Sequence, residues 1–204
     1  MEKAVKGRVV VAFAAVLLSS ISASATSITS YTGGLVAATF VPGQSITTGS
    51  GGPWNDLSFN FFSDVPALTP TAAGSLFLLS QEYLGTPAAL SSATAGFIAE
   101  SQSISGGIYF FDPTVTILAN TQYFFYTTVP IFNSGGGGGT GYAGGENYQA
   151  TSIGTPFINP HRPDANFQLT GDVVPVPEPG SLLLLGAGVF GLAEARRRFS
   201  NKRE

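Results

Sequence analysis

Cysteine is absent from the 204 residues, so neither a disulfide framework nor a thiolate zinc cluster is available. Histidine occurs once, at His161, in the loop Asn159-Pro160-His161-Arg162-Pro163. A Ser-His-Asp triad therefore has one place to form, and no G-x-S-x-G elbow accompanies it. Charge is scarce too: 10% of residues are charged, against roughly 25% in an ordinary soluble domain. That scarcity argues against a cytosolic enzyme, a coiled coil or a charge-rich disordered chain. Lysine is missing altogether between Thr26 and Pro175, where Asp56, Asp64, Glu82, Glu100, Asp112, Glu146, Asp164 and Asp172 face Arg162 alone and leave a net charge of −7. A surface of that sign repels phosphate backbones, which excludes nucleic acid as a partner. None of the eight acids shares a local spacing that singles out a glycosidase pair, so the chain reads as a non-enzyme, with a carboxylate-based glycan hydrolase as the residual alternative.

The basic residues sit instead at the two ends. Residues 1–25 run from Lys3, Lys6 and Arg8 through an apolar stretch, Val9 to Leu18, into small residues ending Ala23-Ser24-Ala25. This is the pattern of a secretory signal peptide, with Ala23 and Ala25 filling the small-residue pockets of signal peptidase and cleavage expected after Ala25. The apolar run is short for a bilayer of about 30 Å, and an uncleaved anchor is the alternative.

The other end, 176–204, has three parts. Val176-Pro177-Glu178-Pro179-Gly180 comes first, then an apolar segment over 181–195 read as a transmembrane helix, then a tail over 196–204 that opens with Arg196, Arg197 and Arg198. At 1.5 Å per residue the apolar segment gives only about 20 Å of helix, enough with bilayer thinning and snorkelling arginines. Positive charge beyond it holds the terminus in the cytoplasm and leaves the preceding domain outside. The prolines keep the motif extended and unable to join the helix that follows. This tail resembles the PEP-CTERM sorting signal of bacterial surface proteins, with Pro177, Glu178 and Pro179 as the motif and Arg196–Arg198 as the basic cluster. The resemblance implies an exosortase as processing partner, an inner-membrane-anchored intermediate, and delivery to the cell surface or extracellular matrix. A plain single-pass anchor with a proline-rich linker is the alternative.

Between the ends, over 26–175, short apolar and aromatic runs alternate with Gly, Pro, Asn and Ser, and none carries a long helical period. Asp56–Phe62 places Leu57, Phe59 and Phe61 on one face. Thr121–Val129 alternates Tyr123/Phe125 with Phe124/Tyr126, and Asp164–Val173 alternates Ala165, Phe167 and Leu169 with Asn166, Gln168 and Thr170. Each reads as a half-buried strand. Gly34–Phe40, Ser75–Glu82, Ala95–Glu100, Gly107–Phe111 and Ile117–Leu118 are further strands, and the 16 Phe and 7 Tyr suit two sheets packed face to face. The expected fold is all-β: a single β-sandwich, jelly-roll-like, flanked by the signal peptide and the C-terminal hydrophobic helix. The order of an aromatic strand at Leu57–Phe62, a hairpin around Ser75–Glu82, Gly107–Phe111, Leu118-Ala119-Asn120-Thr121-Gln122-Tyr123, the Gly-Gly-Glu-Asn-Tyr segment at 144–148 and Ala165-Asn166-Phe167-Gln168-Leu169 loosely resembles choice-of-anchor domains. That likeness implies an exported sandwich and no established activity.

Three features of the middle suggest binding. Gly135–Gly139 is glycine-rich, yet neither Lys nor a helix follows it, so a flexible connection is expected rather than a phosphate cradle. Hard oxygen ligands make calcium the one metal worth considering; Asp112, Glu146 and Asp164, near strand ends, are its candidates, with turn formation the competing role, and no cofactor is otherwise expected. Exposed aromatics would stack on sugar rings, with Trp54, placed after Gly51-Gly52-Pro53, as the leading platform and Tyr142 and Tyr148 as seconds. The resulting expectation is an exported structural or adhesive surface protein, with a module binding the exopolysaccharide matrix as the alternative and a glycan-active enzyme third.

Overall fold

The computed structural model describes residues 25–33, 37–63, 69–134, 141–159 and 164–174. The signal segment up to Ser24, the glycine run, His161 and the entire sorting segment from Pro175 onward lie outside them.

Alternation of apolar and polar residues builds two antiparallel sheets. The first runs in the order β1 (Thr26–Tyr31), β12 (Phe167–Val173), β3 (Trp54–Ser63), β8 (Ile108–Phe110) and β7 (Ser103–Ser105), with the short β4 (Thr69–Pro70) on the end of β3. The second runs β10 (Ile131–Ser134), β2 (Ala37–Thr47), β9 (Gln122–Thr127), β5 (Leu76–Leu79) and β6 (Phe97–Glu100), with β11 (Asn147–Ala150) also paired to β2. Among the described residues there is no α-helix, only a 3-10 turn at Pro87–Ala89.

Leu57, Phe59, Phe61, Phe167 and Leu169 of the first sheet and Ile46, Leu76, Leu78, Tyr123 and Phe125 of the second form one buried cluster, so the sheets pack face to face as expected. Phe59 stacks on Phe125 across the interface at 4.6 Å between ring centroids and lies parallel to Phe167 at 6.0 Å.

The second sheet departs from the expectation of half-buried strands, because β5 and β9 are buried on both faces. Val41, Phe77, Leu79, Phe124, Tyr126 and Tyr148 point away from the first sheet into a second core completed by Leu90, Ala150 and Phe157. The segments after β5 and after β11 cover it and are tied to each other, Phe157 N donating to Gly85 O at 3.0 Å and Ala88 N to Ile153 O at 3.0 Å. Tyr83 N donates to the Tyr126 hydroxyl at 3.0 Å, which satisfies that buried oxygen. Close packing here demands Gly43: a Cβ at that position would collide with the Tyr126 ring.

Other differences have local causes. β2 runs to Thr47, well past the expected end at Phe40, because Pro42 and Gly43 are accommodated between β9 and β11 rather than stopping the strand. β1, β7, β10 and β11 lack the strong apolar alternation that marks a strand and were not expected. Ile117–Leu118 contributes only an isolated bridge, Ile117 to Trp54.

Candidate functional site

Trp54 is not a surface platform. It opens β3, exchanges backbone hydrogen bonds of 2.9 Å in both directions with Ile117, and is 5% exposed within the main core. The Gly51-Gly52-Pro53 turn that argued for exposure instead folds back over the indole, leaving at Gly52 no room for a Cβ. Tyr148 is likewise buried, edge-on to Tyr126 at 5.4 Å in the second core, with its hydroxyl donating to Glu82 Oε1 at 2.9 Å. Burial first, and then the Glu82 carboxylate, push the Tyr148 phenol well above its ordinary value. Neither residue can stack on a sugar in this fold. Tyr142 keeps part of its surface open while packing edge-on to Phe167 at 5.2 Å.

The three acidic candidates are not drawn into one site. Asp112 sits in an exposed turn, its Oδ1 accepting from Thr114 N at 2.8 Å and Thr114 Oγ1 at 2.6 Å, and its Oδ2 from Gln102 Nε2 at 2.9 Å. Those bonds, the Thr114 hydroxyl foremost, hold its carboxyl below the ordinary value. Among the described residues no group of three His, Cys, Asp or Glu side chains could hold a metal ion.

Asp164 has a different role, as the hub of a polar seam along one side of the sandwich. Its Oδ1 accepts from Gln44 Nε2 at 2.7 Å and its Oδ2 from Tyr142 N at 2.6 Å. Gln44, wholly buried on β2, also donates to Ser45 O at 3.0 Å and accepts from Ala165 N at 3.3 Å. Ser45 in turn holds the following loop, its Oγ accepting from Glu146 N at 2.7 Å and its backbone N donating to Glu146 O at 2.9 Å. Tyr142 closes the seam, its hydroxyl accepting from Thr29 Oγ1 at 3.2 Å and donating to Thr47 O at 3.1 Å. Burial raises the Asp164 carboxyl above its ordinary value, and the nearby Glu146 charge adds to this, while the Gln44 and Tyr142 bonds oppose it. The arrangement clamps loop 141–146 and the start of β12 onto β2. Gln44 carried no sequence signal, since nothing in a run of Pro, Gly, Gln and Ser announces a buried amide.

The end of β12 is where the described domain meets the rest of the chain. Val173 pairs with Trp54, and Val174 N donates to Pro53 O at 2.9 Å. On the other side of β12, Thr26 pairs with Gly171 and its Oγ1 donates to Gly171 O at 3.1 Å. The residue that follows the expected signal cleavage is therefore paired three residues short of Val174, toward the same end of β12. Beyond Val174, the family model of the PEP-CTERM protein-sorting motif matches residues 175–198. The chain carries a PEP-CTERM sorting motif. The match begins at the residue after Val174, the last residue described in the sandwich, so in sequence the PEP-CTERM segment follows directly on β12 and Val174. It supports an exported protein sorted by an exosortase. No curated protein and no solved structure matches the chain.

Proposed function

We propose that this is a cell-surface or extracellular-matrix protein of structural or adhesive role. In this reading signal peptidase removes residues 1–25, the helix over 181–195 holds the intermediate in the inner membrane, and an exosortase then processes it through Pro177-Glu178-Pro179. The observation that carries the reading is the PEP-CTERM family match at 175–198, which follows in sequence on the β-sandwich that ends, among the described residues, at Val174. Most of the domain's aromatics are spent on two cores, and its large polar network holds loops in place, which suits a rigid exported body. Repeated passage of the chain between the sheets, at β1–β2, β2–β3, β4–β5, β6–β7, β8–β9 and β11–β12, favours the jelly-roll-like description. Enzymatic activity and a calcium requirement form no part of this reading.

Replacing Pro177-Glu178-Pro179 by alanines in the producing cell tests it. The expected result is accumulation of the full-length chain in the membrane fraction and its loss from the surface. Unchanged delivery would refute exosortase sorting. For the adhesive role, the purified protein is sedimented with the host's own exopolysaccharide, with and without calcium. Saturable retention that survives Tyr142→Ala would favour adhesion over aromatic sugar stacking, whereas retention lost with Tyr142 in a folded variant would favour the carbohydrate-binding alternative.

A further inference from the structure

The pole that bears the sorting segment also carries an apolar side chain held out by the fold. Leu118 is 56% exposed, and yet its backbone is fixed on both sides: its N–H donates to the Tyr123 hydroxyl at 2.9 Å, and its carbonyl accepts from the Thr48 hydroxyl at 2.6 Å. Thr48 is itself buried and also accepts from Thr121 N at 3.0 Å, so the loop cannot turn Leu118 inward without breaking several bonds. Leu118 follows Ile117, which is bridged to Trp54, which is paired with Val173. Val173 is 43% exposed. Leu118 thus stands about two strand spacings, roughly 10 Å, from the residue that leads into the motif.

Reach decides what meets this pole. Pro177 is three residues beyond Val174, and three residues span no more than about 10 Å even when fully extended. An enzyme that encloses Pro177-Glu178-Pro179 therefore comes up against the surface formed by Leu118, Val173 and the turn before Trp54. We propose that this pole is a docking surface for the sorting enzyme, with Leu118 as its apolar anchor. The proposal rests on the exosortase reading and adds to it a recognition element outside the motif. Rigid presentation of Leu118 lowers the entropy lost on binding, which is what a preformed contact requires.

Pulse-chase of the full chain in the producing cell tests the proposal. Leu118→Ser should slow conversion of the precursor about tenfold, the loss of one anchoring side chain from an interface, while Ile158→Ser, at a residue 59% exposed on the cap of the second core, should leave it unchanged. Circular dichroism melts of both purified variants establish that they fold. Inserting ten Gly/Ser residues after Val174 should slow processing of the parent and add little to Leu118→Ser, because both remove the same contact. Faster processing after the insertion would overturn the proposal, since it would show a pole that obstructs. Normal processing of Leu118→Ser combined with weaker binding of the purified protein to anionic lipid vesicles would also overturn it, in favour of a lipid contact. The alanine replacement of Pro177-Glu178-Pro179 is the separate control: if that variant is processed normally, the exosortase reading itself fails, whatever Leu118 does.

Discussion

Phe157 and Ile158 are neighbours in sequence with opposite fates, and this makes the second core testable. Phe157 is 1% exposed, 4.8 Å from the Tyr126 ring and 6.2 Å from Tyr83, whereas Ile158 is 59% exposed. A buried aromatic side chain withdraws roughly 150–250 Å² from water, and at about 25 cal/mol per Å² that is roughly 4–6 kcal/mol as an upper bound. Alanine keeps part of the contact and partial collapse fills part of the void, so Phe157→Ala should cost about 3–5 kcal/mol. Ile158→Ala should cost no more than about 0.5 kcal/mol, as an exposed substitution does. Urea unfolding followed by tryptophan fluorescence is a suitable assay, because buried Trp54 reports on the main core rather than on the site of mutation. Hydrogen exchange adds location: the amides of Tyr83 and Ala88, bonded to Tyr126 and Ile153, should lose protection before those of β12. A Phe157→Ala variant within about 1 kcal/mol of the parent would refute a second core closed by this segment.

Further predictions concern polar groups and close approaches. Asn133 is wholly buried, and among the described residues neither its Nδ2 nor its Oδ1 has a partner, so Asn133→Leu, similar in size and without polar atoms, should stabilise the protein by about 1–2 kcal/mol in the same urea assay. Because burial raises the folded-state pKa of Asp164 above the ordinary 3.8, the folded chain keeps a proton that the unfolded chain has released. Its contribution to stability is therefore complete below pH 3.8 and declines as pH rises through the folded value; Asp164→Asn should remove that slope from a pH series of thermal melts. At Gly145 a Cβ would strike the Ser45 carbonyl, so Gly145→Ala should cost about 1–3 kcal/mol by forcing loop 141–146 off β2, read as a lowered melting temperature.

Much of the first sheet was legible because its sequence alternates: Leu57, Phe59 and Phe61 fall on the core face with polar Ser58 and Asn60 between them, and the period of two can be counted directly even though Asn60 and Phe62 are themselves covered. The second sheet hid its architecture for the opposite reason. A strand buried on both faces, such as β9 with its Tyr-Phe-Phe-Tyr run, has no polar phase to lose, and only the fold shows that Phe124 and Tyr126 serve a separate core. Edge strands were missed because Ser103–Ser105 and Thr26–Tyr31 are made largely of Ser and Thr, whose side chains say little about burial. Trp54 was misplaced by a sound local inference, a Gly-Gly-Pro turn, which long-range pairing to Ile117 and Val173 overrode. The sorting motif, by contrast, depends on local order along the chain and was readable without any fold. Asp164 was singled out for its acidity, and its true surroundings, a buried amide 120 positions earlier, are long-range by nature.

The position of β12 has a consequence for the order in which the protein matures. This strand lies between β1 and β3 in the first sheet, so β1, the first strand to be made, gains its partner only when the last one appears. Pairings of such large sequence separation form slowly, because loop closure must precede the contacts that reward it. A chain emerging from its N-terminus therefore carries this sheet incomplete until Phe167–Val173 has appeared. The sorting motif at 175–198 follows β12 at once in sequence, so this sheet cannot close before the residues that adjoin the motif have been made.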